Sequence, residues 1–290
     1  MCAILAIGDE MRFKKIYIEI SNMCNLQCPF CIQNQRPPHS LSLAQFAHVI
    51  REIKPYTQYV YLHVMGEPLL HPLLPAFLEE CRKEGIKVNI TTNGTLLKKR
   101  WKELCHLPIR QMNISLHSFE AHHQESYIKD IVSCVEEMKD TYVSYRLWTV
   151  QKGTWNEDNK RMIEDLSFAY HIPIPREHWV PSRSITLKER VFLHFEEPFV
   201  WPSLQHAFVT AEGSCRGFID MCAVLCDGSV TPCCLDSRGD LTLGNIFETP
   251  FSAILKQENA QRFLADMRQH RLSAELCQKC RYRLRFDRRI

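Results

Sequence analysis

Three thiols fall within eight residues in the segment Cys24-Asn25-Leu26-Gln27-Cys28-Pro29-Phe30-Cys31, a C-x3-C-x2-C spacing. Thiolates hold soft metals and iron–sulfur clusters, and a four-iron cube usually takes four of them. Three in one loop leave one iron without a protein ligand, free to bind another molecule. A zinc site with a distant fourth ligand is the competing reading, although zinc sites more often pair C-x2–4-C with histidines. A second set marks the C-terminal third: Cys215, then Cys233 after Gly228-Ser229-Val230-Thr231-Pro232, then Cys277-Gln278-Lys279-Cys280. Two well-separated pairs close four-coordinate geometry around either zinc or a cluster. Cys234 could replace Cys233, because neighbouring strand residues point to opposite faces.

These thiols stand out because the chain has 14 cysteines in 290 residues and otherwise reads as an intracellular protein. Its longest apolar runs, such as Cys2 to Ile7, are far too short to span a bilayer, and no basic segment leads into an apolar run at the start. The expectation is a cytoplasmic protein with neither signal peptide nor anchor. Reducing compartments disfavour disulfides, which points the clustered cysteines to metal or catalytic use. Cys2, Cys81, Cys105, Cys134, Cys222, Cys226 and Cys234 are expected to be mostly buried small hydrophobes. With 45% apolar and 24% charged residues, the composition excludes disordered and low-complexity classes. A net charge of +3 over this length excludes bulk nucleic-acid binding by charge alone, so any anion site must be local.

The elements that must position these residues alternate from Phe13 to about Tyr170. Ile16 to Ile20 predicts a strand running straight into the first cysteine loop. Ser42-Leu43-Ala44-Gln45 offers a capping box, and Leu43, Phe46, Ala47, Ile50 and Ile53 recur at helical spacing. Strands are predicted at Val60 to Met65, Val88 to Thr91, Met112 to Leu116 and Val143 to Val150. Helices are predicted over Leu74 to Cys81 with a stop at Gly85, from Thr95 to Cys105, from Ile128 to Met138, and around Met162 to Leu166. Five βα repeats argue a parallel sheet, and the α/β part is too short for a full eight-stranded barrel. The expected fold class is α/β, a partial (β/α)6 TIM-type barrel with a small C-terminal cysteine-rich module. The expected division is a tail over 1–12, the barrel over 13–200 and the module over 201–290. The tail segment Arg281 to Phe286 alternates basic and apolar residues, which suggests an edge strand or a phosphate or nucleic-acid contact, and Arg288 and Arg289 follow it.

A C-x3-C-x2-C loop with an aromatic before its last cysteine, after strand one of a partial barrel, resembles the radical S-adenosylmethionine (SAM) superfamily. The resemblance covers roughly Phe13 to Val150. It implies a [4Fe–4S] cluster on Cys24, Cys28 and Cys31, with SAM chelated at the open iron beside Phe30. Met65-Gly66-Glu67-Pro68 resembles the family's Gly-Gly-Glu-Pro segment, departing at Met65, and implies Gly66 and Glu67 as contacts of the SAM ammonium. Asn93, before Gly94, closes strand three, and Ser115, His117 and Ser118 close strand four, where relatives place ribose-binding groups. Arg146 resembles the strand-five basic residue that meets the SAM carboxylate. Each has a plainer reading: Asn93-Gly94 is a common turn, His117 and Ser118 suit a helix cap, and Arg146 suits a structural ion pair.

The C-terminal cysteines resemble a twitch or SPASM-type extension, which implies one auxiliary [4Fe–4S] cluster on Cys215, Cys233, Cys277 and Cys280. Gly244-Asn245-Ile246 fits that pattern. The implied activity is reductive cleavage of SAM to a 5′-deoxyadenosyl radical that takes a hydrogen atom from a small substrate, with a flavodoxin- or ferredoxin-type reductant. Overall likeness extends to short radical SAM proteins such as the lyases that release queuine from queuosine-type nucleosides or their 5′-phosphates. The alternatives are a peptide maturase or epimerase, or a non-catalytic iron–sulfur or zinc redox sensor. A covered pocket is expected, with Trp148, Trp179, Phe199 and Trp201 as stacking surfaces and Arg146, Arg176 or Arg183 as partners of a phosphate or ribose.

Overall fold

The alternation in Lys15-Ile16-Tyr17-Ile18-Glu19-Ile20 sets the plan of the molecule. Successive strand residues face opposite sides, and Ile16, Ile18 and Ile20 lie fully buried in the main apolar core with the helices. Tyr17, on the other side, packs in a second, smaller cluster with Val64, Met65, Ala223 and Leu225. The same pattern recurs in Val88 and Ile90, in Met112 and Ile114, and in Val143, Tyr145 and Leu147, all buried in the main core. Their alternates Asn89, Asn113 and Ser144 are buried polar residues on the opposite face. This describes a parallel sheet that buries apolar residues under helices and keeps a polar interior.

The computed structural model describes residues 12–117, 126–148 and 157–287. Strands β1 (Lys15–Ile18), β2 (Tyr59–Tyr61), β3 (Lys87–Thr92), β4 (Ile109–Ser115) and β5 (Tyr142–Leu147) run parallel in sequence order. Helices α1 (Leu43–Ile53), α2 (Leu74–Lys83), α3 (Leu97–Leu104), α4 (Tyr127–Glu137) and α5 (Glu157–Tyr170) provide the crossovers. The sixth parallel strand arrives by a hairpin, with β6 (Ser184–Lys188) antiparallel to β7 (Val191–Phe195), and β7 pairs with β5. Six parallel strands with five intervening helices form the expected partial barrel.

The chain then returns to the far side of β1. Strand β8 (Met221–Val224) pairs parallel to β1, and β9 (Ser229–Thr231) and β10 (Gly244–Asn245) follow antiparallel. One ten-stranded sheet results, in the order β10-β9-β8-β1-β2-β3-β4-β5-β7-β6. Four helices complete the module: α6 (Phe251–Lys256), α7 (Glu258–Arg268), α8 (Glu275–Gln278) and α9 (Leu284–Asp287).

Local chemistry accounts for most boundaries. The Ser42 hydroxyl accepts from the Gln45 N–H while the Gln45 side chain accepts from the Ser42 N–H, so the capping box forms. Helix α2 stops before Gly85, whose φ of +69° is left-handed. Strand β2 is shorter than its apolar run because the Met65 N–H turns to the Glu19 carboxylate at 3.2 Å. The edge strand expected at Arg281 to Phe286 does not form. Arg283 is buried and pairs with Asp287 at 2.8 Å, one helical turn on, which winds the segment into α9 instead. Ser118, Thr149, Val150, Arg288 and Arg289 lie outside the described residues.

Candidate active site

The cysteine loop follows directly on the C-terminal end of β1, with Cys24 exposed, Cys31 half-buried and Cys28 buried. Backbone N–H groups aim at its sulfurs, from Leu26 to Cys24 and from Gln33 to Cys31, each at 3.4 Å. Burial pushes the Cys24 thiol up to about 11 against the pull of the Leu26 N–H, and pushes Cys31 up as well.

The segment after β2 is stitched to this loop through its backbone. Glu67 N–H donates to Met23 O at 2.8 Å. Gly66 has φ +77°, and a Cβ there would lie 2.3 Å from Ser21 O and 2.8 Å from Met23 O. Only glycine permits that approach. The buried Glu67 carboxylate accepts from Leu69 N–H at 2.9 Å, Thr92 O–H at 2.7 Å and Asn93 N–H at 2.7 Å. It therefore ties the end of β2 to the end of β3. Burial pushes it up to about 6, while those three donors pull it down. Asn93 extends the link, its amide 3.1 Å from Asn25 Oδ1 in the cysteine loop and 4.0 Å from the Cys24 sulfur.

Strands β4 and β5 supply the next wall. Ser115 ends β4, and the His117 ring that follows has Nδ1 3.1 Å from the Arg146 carbonyl. An aromatic row crosses the site from there. Phe30 packs on His117 with ring centres 4.6 Å apart, His117 stacks parallel to Trp148 at 6.2 Å, and Trp148 meets Phe199 at 6.4 Å. Phe199 contacts Trp201 at 5.2 Å and Tyr282 at 5.0 Å. The row thus runs from the residue before Cys31 to a residue just after Cys280.

At its far end the structure brings together Cys215, Cys233, Cys277 and Cys280 from three separate segments. Burial raises Cys215, Cys277 and Cys280, with Cys215 and Cys280 at about 11, and the other sulfurs of the set raise these three further; Cys233 is raised by its hydrogen bond with the Cys234 thiol and then by burial. Mutual repulsion at this range means that a cationic core is needed to hold them as thiolates. N–H groups again face sulfur, Gly217 to Cys215 at 3.5 Å and Leu235 to Cys233 at 3.4 Å. Cys234 lines the same cavity, its thiol hydrogen-bonded with the Cys233 thiol and the Tyr17 hydroxyl and close to Lys15, and packs in the inner cluster.

One cavity of about 360 Å³ joins the two cysteine sets. Its walls include all seven cysteines together with Phe30, Gly66, Glu67, Asn93, Ser115, His117 and Arg146. A lone zinc needs donors converging on one point, and among the described residues no three His, Cys, Asp or Glu groups do so. Thiols spread over a wall, with N–H donors on the sulfurs, fit the larger footprint of a cluster. Pro198, Phe199, Trp201 and Pro202 bring the segment after β7 over the same space. Three expected contacts lie elsewhere: Trp179 is buried with its indole N–H on Ile174 O at 2.9 Å, and Arg176 and Arg183 are exposed on the surface.

Sequence reasoning missed Lys15, Tyr17 and His63 on the cavity wall, and the buried pair of Glu19 with Arg36. The signal was present in the polar alternates of β1, which must face the barrel interior if the isoleucines face the helices. Glu19 accepts from Met65 N–H and, at 3.1 Å, from Cys226 N–H, while Arg36 donates to Ser237 O at 2.9 Å. The pair therefore joins the first cysteine loop to the C-terminal module.

Residues 18–166, half of the chain, match the family model described as the radical SAM superfamily, and residues 215–281 match the SPASM iron–sulfur cluster-binding domain. GTP 3′,8-cyclase of Thermodesulfovibrio yellowstonii is 28% identical over 199 residues, covering 60% of this chain and 62% of that protein. The 7-carboxy-7-deazaguanine synthase of Aquifex aeolicus is 38% identical over 89 residues, 31% of this chain and 40% of the relative. The chain thus spans less than two thirds of these relatives. BtrN, solved in complex with AdoMet and 2-DOIA, superposes with a TM-score of 0.62 at 17% identity, covering 94% of each chain.

Proposed function

The chain belongs to the radical SAM superfamily and carries a C-terminal auxiliary-cluster module, and from that premise we propose that it acts on a compact, planar substrate of the nucleoside or nucleotide class. The observation that carries this reading is the single cavity that joins both cysteine sets along an aromatic row. Aromatic faces lining a cavity offer stacking surface to a planar base. The names of the two relatives, a cyclase of GTP and a deazaguanine synthase, favour the same class.

Cys24, Cys28 and Cys31 hold the cluster that binds SAM in this reading, and Cys215, Cys233, Cys277 and Cys280 hold one auxiliary cluster. Cys233 is preferred to Cys234 because it faces the other three thiols. When bound, the first cluster and SAM supply reductive cleavage to methionine and a 5′-deoxyadenosyl radical, which takes a hydrogen atom from substrate. The protein's part is positioning. Gly66 lets the SAM-binding segment lie against the cysteine loop, and Glu67, held by three donors, fixes the ends of β2 and β3. Asn93, Ser115 and His117 offer polar groups along the strand ends, Phe30 packs beside the cluster, and one edge of Arg146 meets the SAM carboxylate. The segment after β7 excludes water from the chamber. No helix among the described residues is long and apolar enough to cross a membrane; a flavodoxin- or ferredoxin-type reductant in the cytoplasm completes the proposed system. The division at residue 200 is proposed as a functional one only, and one sheet runs through both parts.

Release of queuine from queuosine or its 5′-phosphate is the specific reaction proposed, and peptide modification is the second reading. Anaerobically reconstituted protein given a strong reductant should form 5′-deoxyadenosine, and queuosine or its phosphate should bind the SAM complex in preference to unrelated peptides. Selective binding of a peptide with indifference to nucleosides would overturn the substrate class.

A further inference from the structure

Both carboxylates on the cavity wall are already engaged, whereas two of its cations are not. Glu67 accepts three hydrogen bonds, and Asp236 accepts from Asp240 and Leu241 N–H at 2.9 Å each. Of the lining arginines, Arg216 pairs with Asp220, and Arg283 pairs with Asp287 at 2.8 Å. Lys15 and Arg146 have no carboxylate and no hydrogen-bond acceptor among the described residues. The neighbouring carboxylate, Asp220, is taken by Arg216 and by Lys14 at 3.1 Å.

Both cations lie against aromatic rings, with the Cys234 sulfur also near Lys15. Lys15 Nζ lies 4.9 Å from the Tyr61 ring centre and 5.2 Å from that of Tyr17, and the Arg146 guanidinium lies 5.0 Å from the Trp148 ring centre. Ring faces attract a cation but leave its directional N–H donors without a lone pair, three on an ammonium and five on a guanidinium. Burial lowers the Lys15 ammonium, the nearby Cys234 sulfur opposes that, and Arg146 is close enough to lower it further. Two like charges left together on an enclosed wall describe half of a site.

We propose that Lys15 and the second edge of Arg146 form a subsite for an oxyanion of the substrate, a phosphate or a carboxylate. The proposal rests on the assignment of this cavity as the SAM and substrate chamber. SAM brings only one carboxylate, and a guanidinium has two edges, so Arg146 serves both ligands while Lys15 serves the substrate. Lys15 stands on β1 beside β8, on the side of the chamber nearest Cys234, which seats the anion toward the auxiliary module. A base stacked on the Trp148 and Phe199 faces would then carry its phosphate away from the first cluster.

The test is anaerobic calorimetry on the reconstituted, SAM-loaded holoenzyme with guanosine, guanosine 5′-monophosphate, inorganic phosphate and acetate as probes. The monophosphate should bind at least about tenfold tighter than guanosine, and Lys15→Met should remove that advantage. Lys15→Arg should keep most of it, and SAM affinity of Lys15→Met should stay within about twofold of the parent. Lys15-dependent binding of inorganic phosphate or acetate without nucleoside binding would uphold the subsite while removing the nucleoside reading. Equal binding of all probes in parent and Lys15→Met would overturn the subsite, as would a loss of SAM affinity matching the loss of monophosphate affinity.

Discussion

The two cysteine sites reach the same cavity by opposite routes. The first is local: three thiols on one loop, continuous with β1, with Cys24 exposed and Cys31 half-buried. The second is assembled from Cys215, Cys233 and the Cys277–Cys280 pair, segments joined only because β8 pairs with β1 and the module's helices pack behind it. In the proposed assignment the three donors of the loop would leave a coordination position facing the chamber, whereas the four C-terminal thiols would complete their cluster. Openness therefore follows from a short motif, and closure follows from tertiary structure. Loss of a ligand should cost chemistry at the first site and folding at the second.

The sharpest break of that contrast is Cys28→Ala. It should reduce SAM cleavage to background while the auxiliary cluster remains visible by electron paramagnetic resonance. Retained cleavage would contradict the assignment of the open site. Next in size, Cys277→Ala should lower iron from about eight per chain to about four, and should lower the melting temperature of the module, because a lost metal core removes folding energy. Iron that starts near four in the parent, with zinc present, would make the C-terminal site structural.

The link between the regions can be cut directly. Glu19 is fully buried and Arg36 is its ion-pair partner, so Arg36→Met should cost about 3–5 kcal/mol by leaving a buried charge unpaired. Glu19→Gln combined with Arg36→Met should recover much of that loss in chemical denaturation. An unchanged midpoint in the single variant would mean that the pair does not join the two regions. At the small end, Ser42→Ala removes the α1 capping box and should cost about 1 kcal/mol in the same measurement, with no effect on iron content.

Much of this was legible because the barrel writes itself in local patterns. The Ser42 box, the isoleucines of β1 and the glycine after α2 each act within a few residues, and they fixed elements whose order then implied a parallel sheet. The cysteine loop was legible for the same reason. The C-terminal architecture was not, since pairing of β8 with β1 joins Lys15 to Met221 and no local pattern encodes that partner. The alternating tail at Arg281 to Phe286 misled because period two describes an exposed strand equally well until Arg283 is seen buried against Asp287. The expectation of Trp179, Arg176 and Arg183 in the cavity rests on residue type alone, and nothing in their spacing indicates which way they face. Lys15 went unremarked although it is the one cation in a strand whose alternates point inward.

The difference between an open and a closed site is tested most directly by electron paramagnetic resonance of the reduced protein with and without SAM, in two variants that each retain one cysteine set. In Cys277→Ala, which keeps Cys24, Cys28 and Cys31, SAM should change the signal. In Cys28→Ala, which keeps the four C-terminal cysteines, SAM should leave it unaltered. A SAM-induced change confined to Cys28→Ala, or no change in either variant, would contradict the account.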